Sequence, residues 1–367
     1  MYLIERLVGI SCYILVLLFV FCVIYYQKLR VKGVLIFYAL ALTVMAYFFV
    51  PPETADLFQI QTFVKYFAGL SFDKFYEMHL VGNSISVAYF LYWVVGKIGN
   101  VSLLPVLATL ITYSVTFYIL YKSSELYKAK NREIALILLF IMSTGNYMMV
   151  ISNIRTMMAI SLLCLCFFRE SVLKRFSIWH ILLYVLAALI HNLAIVLLII
   201  RGIVFFVAAR IKIKWKLLFV LGCLTIGGYM FFQYEWLFDS VWEKSLEFIM
   251  GEYYSYAWEY IIAFVAVFVE IQAIRLHMKF GDELLTELMV FLTSCVVVAV
   301  IFIGEFSIFH RISTYIAPIL AVPLLMVGFS KLRAKVGLEK VFFLISLASL
   351  FLACSRGSLS SLKFFVL

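Results

Sequence analysis

The sequence predicts an all-α, polytopic membrane protein with roughly 12 to 13 transmembrane or re-entrant helices. Three observations predict it. Apolar residues make up 66% of the 367-residue chain and charged residues only 14%, and the mean hydropathy is +1.09, a balance that no soluble domain has. Apolar runs recur from end to end, continuous rather than alternating, which is the pattern of membrane helices and not of a β-barrel. The net charge of +10 gathers in short loops between those runs. That is the positive-inside signature. A nucleic-acid partner is excluded, because no basic face with interleaved aromatic residues is present.

The elements follow in order. Residues 7–26 form a first span, too long for a cleaved signal peptide and without a small-residue cleavage site. A basic turn holds Lys28, Arg30 and Lys32. Residues 33–50 form the second span, ended at Pro51-Pro52 because proline cannot continue the hydrogen-bond ladder. An outer loop follows, residues 51–83. It mixes Glu53, Asp56, Asp73 and Glu77 with Lys65 and Lys74, and its apolar residues recur at roughly helical spacing, as in amphipathic helices lying on a membrane. Residues 83–98 are a short apolar segment. Residues 101–121 lead to the basic loop of Lys122, Lys128, Lys130 and Arg132. Residues 133–150 go out and 155–168 return to Arg169, Lys174 and Arg175.

From there to Arg210, Lys212, Lys214 and Lys216 runs a stretch interrupted only by His191-Asn192. Two basic loops on one side require an even number of crossings. The stretch is therefore two crossings, with His191-Asn192 near the outer turn, sunk in a cavity where irregular backbone is tolerated. Residues 217–232 go out, 233–258 make an acidic, aromatic outer loop, and 259–277 return. Residues 284–303 go out, 304–311 are read as a tight outer turn carrying Glu305, His310 and Arg311, 312–329 return, and 341–354 form the last span. The whole is one transmembrane domain without a clear internal repeat. One count does not balance: three apolar segments separate the first two basic loops, and the weakest, 83–98, is expected to be re-entrant or interfacial.

Polar residues inside such runs are costly and by default mark a functional site. Arg155 opens an apolar helix just after Asn153. It is either a headgroup anchor or a ligand for phosphate, whose oxygens match the planar guanidinium fork, helped by the free N–H groups of a helix start. His191 lies between apolar residues, either as a hydrogen-bonded packing residue or as a general base or proton shuttle oriented by Asn192. Arg311 and Tyr315, four residues apart, share a helix face and form either an interfacial anchor or a second phosphate clamp. His310 reads as rim. Asp56, after the proline stop, is a solvated acid or a base facing a cationic pocket, with Glu77 and Glu305 as weaker candidates. The seven cysteines all lie in apolar runs with no metal-ligand spacing, and there is no phosphate-binding glycine loop, GxSxG or HExxH motif. No cofactor and no metal are expected.

In its ordered motifs the chain resembles the EpsG-like branch of the Wzy-type polysaccharide polymerases. The resemblance rests on Thr54-Ala55-Asp56-Leu57-Phe58 with Phe75-Tyr76-Glu77, on Asn153-Ile154-Arg155 with Ala159, on residues 187–194 around His191-Asn192, and on Arg311 to Pro318. It departs at Leu57, where the family usually has an aromatic residue, and after Asn192, where it usually has Ser-Ala. The resemblance implies a fold like the membrane-embedded C-type glycosyltransferases and a multi-pass protein of the bacterial cytoplasmic (inner) membrane with its active site facing outside. It implies an exopolysaccharide or capsule repeat-unit polymerase, acting on a lipid-linked oligosaccharide carried on undecaprenyl pyrophosphate, beside membrane lipid, a flippase and a chain-length regulator. In that setting Arg155 and Arg311 would bind pyrophosphate, and His191 first, Asp56 second, would take the acceptor's proton. Asn153, Asn192, Tyr315, Glu77 and Glu305 would support them. The competing readings are an O-antigen-type ligase, a transferase using a polyprenyl-phosphate sugar, a membrane acyltransferase, and a flippase or other transporter, which would line a midplane path with polar groups.

Overall fold

Apolar runs in this chain become helices because only a helix satisfies every backbone N–H and C=O within its own segment. The computed structural model describes residues 2–26, 29–53, 55–81, 83–208, 257–280, 285–304, 306–331, 336–355, 359 and 362–364. The expected outer loop at 233–258 and Glu305 lie outside the described residues, apart from the loop's last two positions. In order, α1 is Tyr2–Tyr25, α2 Val31–Tyr47, α3 Asp56–Ala68 and α4 Phe72–Phe75, which runs into a π-helical turn Tyr76–Leu80. Then come α5 Ser86–Ile98, α6 Leu103–Leu126, α7 Asn131–Thr144, α8 Tyr147–Ser152, α9 Ile154–Ser171, α10 Ile178–Ile190 and α11 Leu193–Ala208. The last group is α12 Ala257–Phe280, α13 Thr286–Ile301, α14 Phe306–Arg311, a π-helical turn Ile312–Ile316, α15 Ala317–Lys331 and α16 Val336–Ser355.

The all-helical expectation holds, and the protein is a multi-pass membrane protein. Four helices are long and apolar enough to cross a bilayer: Arg6–Tyr25, Leu103–Leu126, Ala257–Lys279 and Ile308–Lys331. A span of 24 residues rises about 36 Å, enough for a hydrocarbon core of about 30 Å. The Ile308–Lys331 span is buried on every side, so it forms the axis of the bundle. Around it α6, α7, α12 and α13 pack directly, while α2 leans on α6, α10 on α9 and α16 on α7. Buried tyrosines bond across these seams. The Tyr13 hydroxyl donates to Met142 O (2.9 Å) and that of Tyr147 to Leu42 O (2.7 Å), with their rings stacked 5.4 Å apart. A phenol in an apolar layer needs such a partner.

Three segments differ from the sequence reading. Residues 133–150 are not one span: α7 stops at Thr144, and α8 starts after Gly145 with the Asn146 side chain accepting from Met149 N–H. A Cβ at Gly145 would stand 2.6 Å from Ile141 O, so the tight exit from α7 requires glycine. Residues 304–311 are not a turn throughout, because Phe306–Arg311 is helical and runs through the π-helical turn into α15. The third concerns 83–98. Its helix α5 packs along α3, with Lys97 Nζ donating to Ala68 O (2.8 Å) and Trp93 Nε1 to Leu70 O (3.3 Å). It therefore packs with α3, the amphipathic helix of the expected outer loop.

After α16 the chain returns across the ends of the first two helices. Phe49 and Phe364 form an antiparallel bridge, with Val50 N–H donating to Lys363 O (3.1 Å). A Cβ at Gly9 would meet Leu362 O at 2.5 Å. The tail therefore touches α1 and the end of α2 at once.

Candidate functional site

Each cationic or basic candidate stands where a helix is interrupted. Between α8 and α9, Asn153 takes φ −93° and ψ 55°, donates its backbone N–H to Met149 O (2.8 Å) and its side-chain amide to Met149 Sδ (3.2 Å). Arg155 is the second residue of α9. Its side chain is half-buried, and among the described residues it makes no hydrogen bond or ion pair. His191 stands between α10 and α11 in extended conformation, φ −155° and ψ 131°. Its N–H continues to Ala187 O (3.1 Å), its C=O accepts from Ala194 N–H (2.9 Å), and its Nδ1 accepts from Leu193 N–H (3.0 Å). Arg311 ends α14 at the start of the π-helical turn. Helical interruptions at membrane depth are tolerated where they line a cavity or are buried in protein.

These three meet. Burial first, then the charge of Arg311, then that of Arg155, pushes the His191 imidazole, in its turn between helices, down to about 3. Segments 36 and 120 residues apart along the chain thus bring two guanidiniums within electrostatic reach of one imidazole.

Arg155 also lines a second space. Asp56, Gln59, Ile60 and Phe63 of α3, Tyr89 and Tyr92 of α5, and Arg155 line a small open cleft of about 50 Å³. Asp56 is the first residue of α3, at the positive end of its dipole, and its side chain is exposed. The Tyr92 hydroxyl is buried and has no hydrogen-bond partner among the described residues. Such an orphan group in a polar cleft is what a bound ligand would satisfy. Gln59, Tyr89 and Tyr92 did not stand out in the sequence; an amphipathic segment has no motif, and only the α3–α5 pairing reveals which face is lined.

Behind Arg311 sits a buried polar network. Glu259, 6% exposed, pairs with His310 Nε2 (3.3 Å), which is 2% exposed, and accepts from Asn146 Nδ2 (3.5 Å). Tyr315 donates its hydroxyl to Asn146 O (3.2 Å). His310 is therefore buried structure and not rim. Tyr315 ties the π-helical turn to the α7–α8 break. Of the other supporting candidates, Asn192 is exposed beside His191, and Glu77 is exposed in the Tyr76–Leu80 turn and does not line the cleft. Among the described residues no group of three or more His, Cys, Asp or Glu could hold a metal ion. Glu259 and Asn146 were missed because the partners lie 51 and 113 residues apart.

No curated protein and no solved structure matches the chain. Residues 72–362 match the EpsG family. The match takes in Arg155, His191, Glu259, His310 and Arg311, and begins after Asp56. The chain belongs to the EpsG family, which is linked to exopolysaccharide biosynthesis.

Proposed function

We propose that the protein polymerises an exopolysaccharide on the outer face of the cytoplasmic membrane, by moving a glycan from a lipid pyrophosphate to a hydroxyl of another lipid-linked repeat unit. The observation that carries this reading is that Arg155 belongs to two places at once: the cationic cluster with Arg311 and His191, and the polar cleft with Asp56 and the unsatisfied Tyr92 hydroxyl. A transfer needs an anionic leaving group and a hydroxylated acceptor side by side, and a cationic cluster adjoining a polar cleft supports that reading.

In the proposed step the acceptor oxygen forms a bond to the donor's anomeric carbon. The bond from that carbon to the pyrophosphate oxygen breaks, and its electron pair leaves with the lipid pyrophosphate. Arg155 and Arg311 stabilise the charge that develops there. The acceptor's proton passes to the Asp56 carboxylate across the cleft, while Gln59 and Tyr92 hydrogen-bond neighbouring sugar hydroxyls. The energy is stored in the donor, so no nucleotide is required.

Reconstitution with a defined lipid-linked repeat unit tests the reading. Wild-type protein is expected to give a ladder of oligomers, and Arg155→Ala or Arg311→Ala to lower it about 100-fold or more, the usual loss of a group that stabilises transition-state charge. A wild-type sample that binds the correct substrate and yields no ladder would sink the polymerase.

One observation favours a carrier as the second reading. Glu270 lies near the middle of α12, fully buried, with neither carboxyl oxygen hydrogen-bonded among the described residues. Intramembrane acids of this kind mark substrate or proton paths in transporters. A liposome assay that shows lipid-linked oligosaccharide crossing the bilayer without elongation would support that reading instead.

A further inference from the structure

His191 is the residue whose chemistry the backbone constrains most. Its Nδ1 accepts the N–H of Leu193 at 3.0 Å, and a nitrogen that accepts cannot carry a proton. A neutral imidazole with an accepting Nδ1 holds its hydrogen on Nε2. The same bond caps the start of α11, since Leu193 is that helix's first residue and its N–H has no partner within the helix. The tautomer is thus set by the fold, not by the ligand.

The groups around the ring point the same way. The charged side chains that act on His191 are Arg155 of α9 and Arg311 at the end of α14. Of the other helices packed on α10, α5 contributes the phenols Tyr89 and Tyr92 in the cleft beside Arg155. The first charge along α11 is Arg201, which pairs with Glu170 at 3.1 Å. Among the described residues no carboxylate acts on the ring, and both charges that do act on it disfavour an imidazolium.

We propose that His191 is a neutral hydrogen-bond donor that presents Nε2–H to a phosphate oxygen held between Arg155 and Arg311, and that it is not the base of the reaction. The inference rests on the polymerase reading for the identity of the anion as a lipid pyrophosphate. The donor role itself follows from the tautomer. An Nε2–H cannot take a proton from an acceptor hydroxyl, which leaves that task to Asp56. As a third donor beside two arginines, the imidazole adds direction without adding charge, and so binds the pyrophosphate without tightening the leaving group's hold on the site at neutral pH.

Nitrogen-15 NMR of histidine-labelled full-length protein in nanodiscs decides it. The His191 signals are assigned by their loss in His191→Gln, against the four other histidines of the chain. The expected spectrum shows a protonated Nε2 and an unprotonated Nδ1 from pH 8 to pH 5, and added inorganic pyrophosphate moves the Nε2 signal while Nδ1 stays unprotonated. An imidazolium, or a proton on Nδ1, between pH 6 and 8 overturns the proposal whatever the enzyme's activity. Kinetics give the second reading. His191→Gln, which keeps an N–H donor, is expected to lose about tenfold in ladder formation, the worth of one charge-assisted hydrogen bond. It should keep the wild-type fall in rate at acid pH, whereas His191→Leu loses substantially more and Asp56→Asn loses that acid limb. An acid limb that disappears in His191→Gln makes His191 the base and overturns the proposal. Absence of a ladder from wild-type protein counts against the polymerase and leaves the NMR result to decide the role of His191.

Discussion

A guanidinium without a protein partner differs from one engaged in a pair, and Arg155 is the former among the described residues. Arg155→Lys keeps the charge but loses the planar fork, so it is expected to recover less than a tenth of wild-type ladder formation; equal activity would make Arg155 a simple headgroup anchor. The Glu259–His310 pair is the opposite case. Both members are buried, and truncating one strands the other. Glu259→Ala is therefore expected to lower stability by about 3–5 kcal/mol, read as a fall in the thermal midpoint of detergent-solubilised protein. Arg155, His191 and Arg311 were legible in the sequence because a polar residue among apolar ones is conspicuous. Glu259 was not, because an acid at the start of a span looks interfacial until its partner from a distant segment is placed against it.

At the scale of elements, the site depends on close approaches as much as on side chains. A Cβ at Gly96 would stand 2.7 Å from Val64 O and 3.2 Å from Ala68 Cβ. Gly96→Val is expected to push α5 away from α3, cost about 1–3 kcal/mol and cut activity by separating Tyr92 from Asp56, with helix content by circular dichroism unchanged. In α12, a fully buried carboxyl without a donor carries an uncompensated desolvation penalty. Replacement by an apolar residue of similar size, Glu270→Leu, should raise stability by about 1–3 kcal/mol; a loss would show that Glu270 has a structural partner. The four long apolar helices were legible from hydropathy. Helix interruptions were less so: the Met-Met-Val sequence after Gly145-Asn146 hides a six-residue helix inside an apparently continuous run, and a π-helical turn at Ile312–Ile316 has no periodicity signal of its own.

Across the whole molecule, the proposed sidedness rests on loop charge. In the proposed topology the basic loops are inside and His191, Arg155 and the α3–α5 layer outside. An impermeant maleimide should label Asn192→Cys in intact cells and Lys128→Cys only after permeabilisation; the reverse pattern would invert the topology. At 83–98 hydropathy alone could not distinguish a span from a helix laid against an amphipathic neighbour. The pairing of α3 and α5 is made of residues separated by about thirty positions, outside the reach of any local pattern.

The clasp between the tail and the first two helices bears on chain order. With Phe364 bridged to Phe49 and Leu362 lying against Gly9, α1 and the stretch after α16 are spatial neighbours, so the connectivity of the bundle is close to a closed ring. A circular permutant that joins these segments through a short flexible linker and opens instead at Ala129, between α6 and α7, should assemble the same bundle from a different starting point. Both of its new ends would then emerge among the basic loops, on the opposite face from the cleft, and leave the outer surface free of any appended tag.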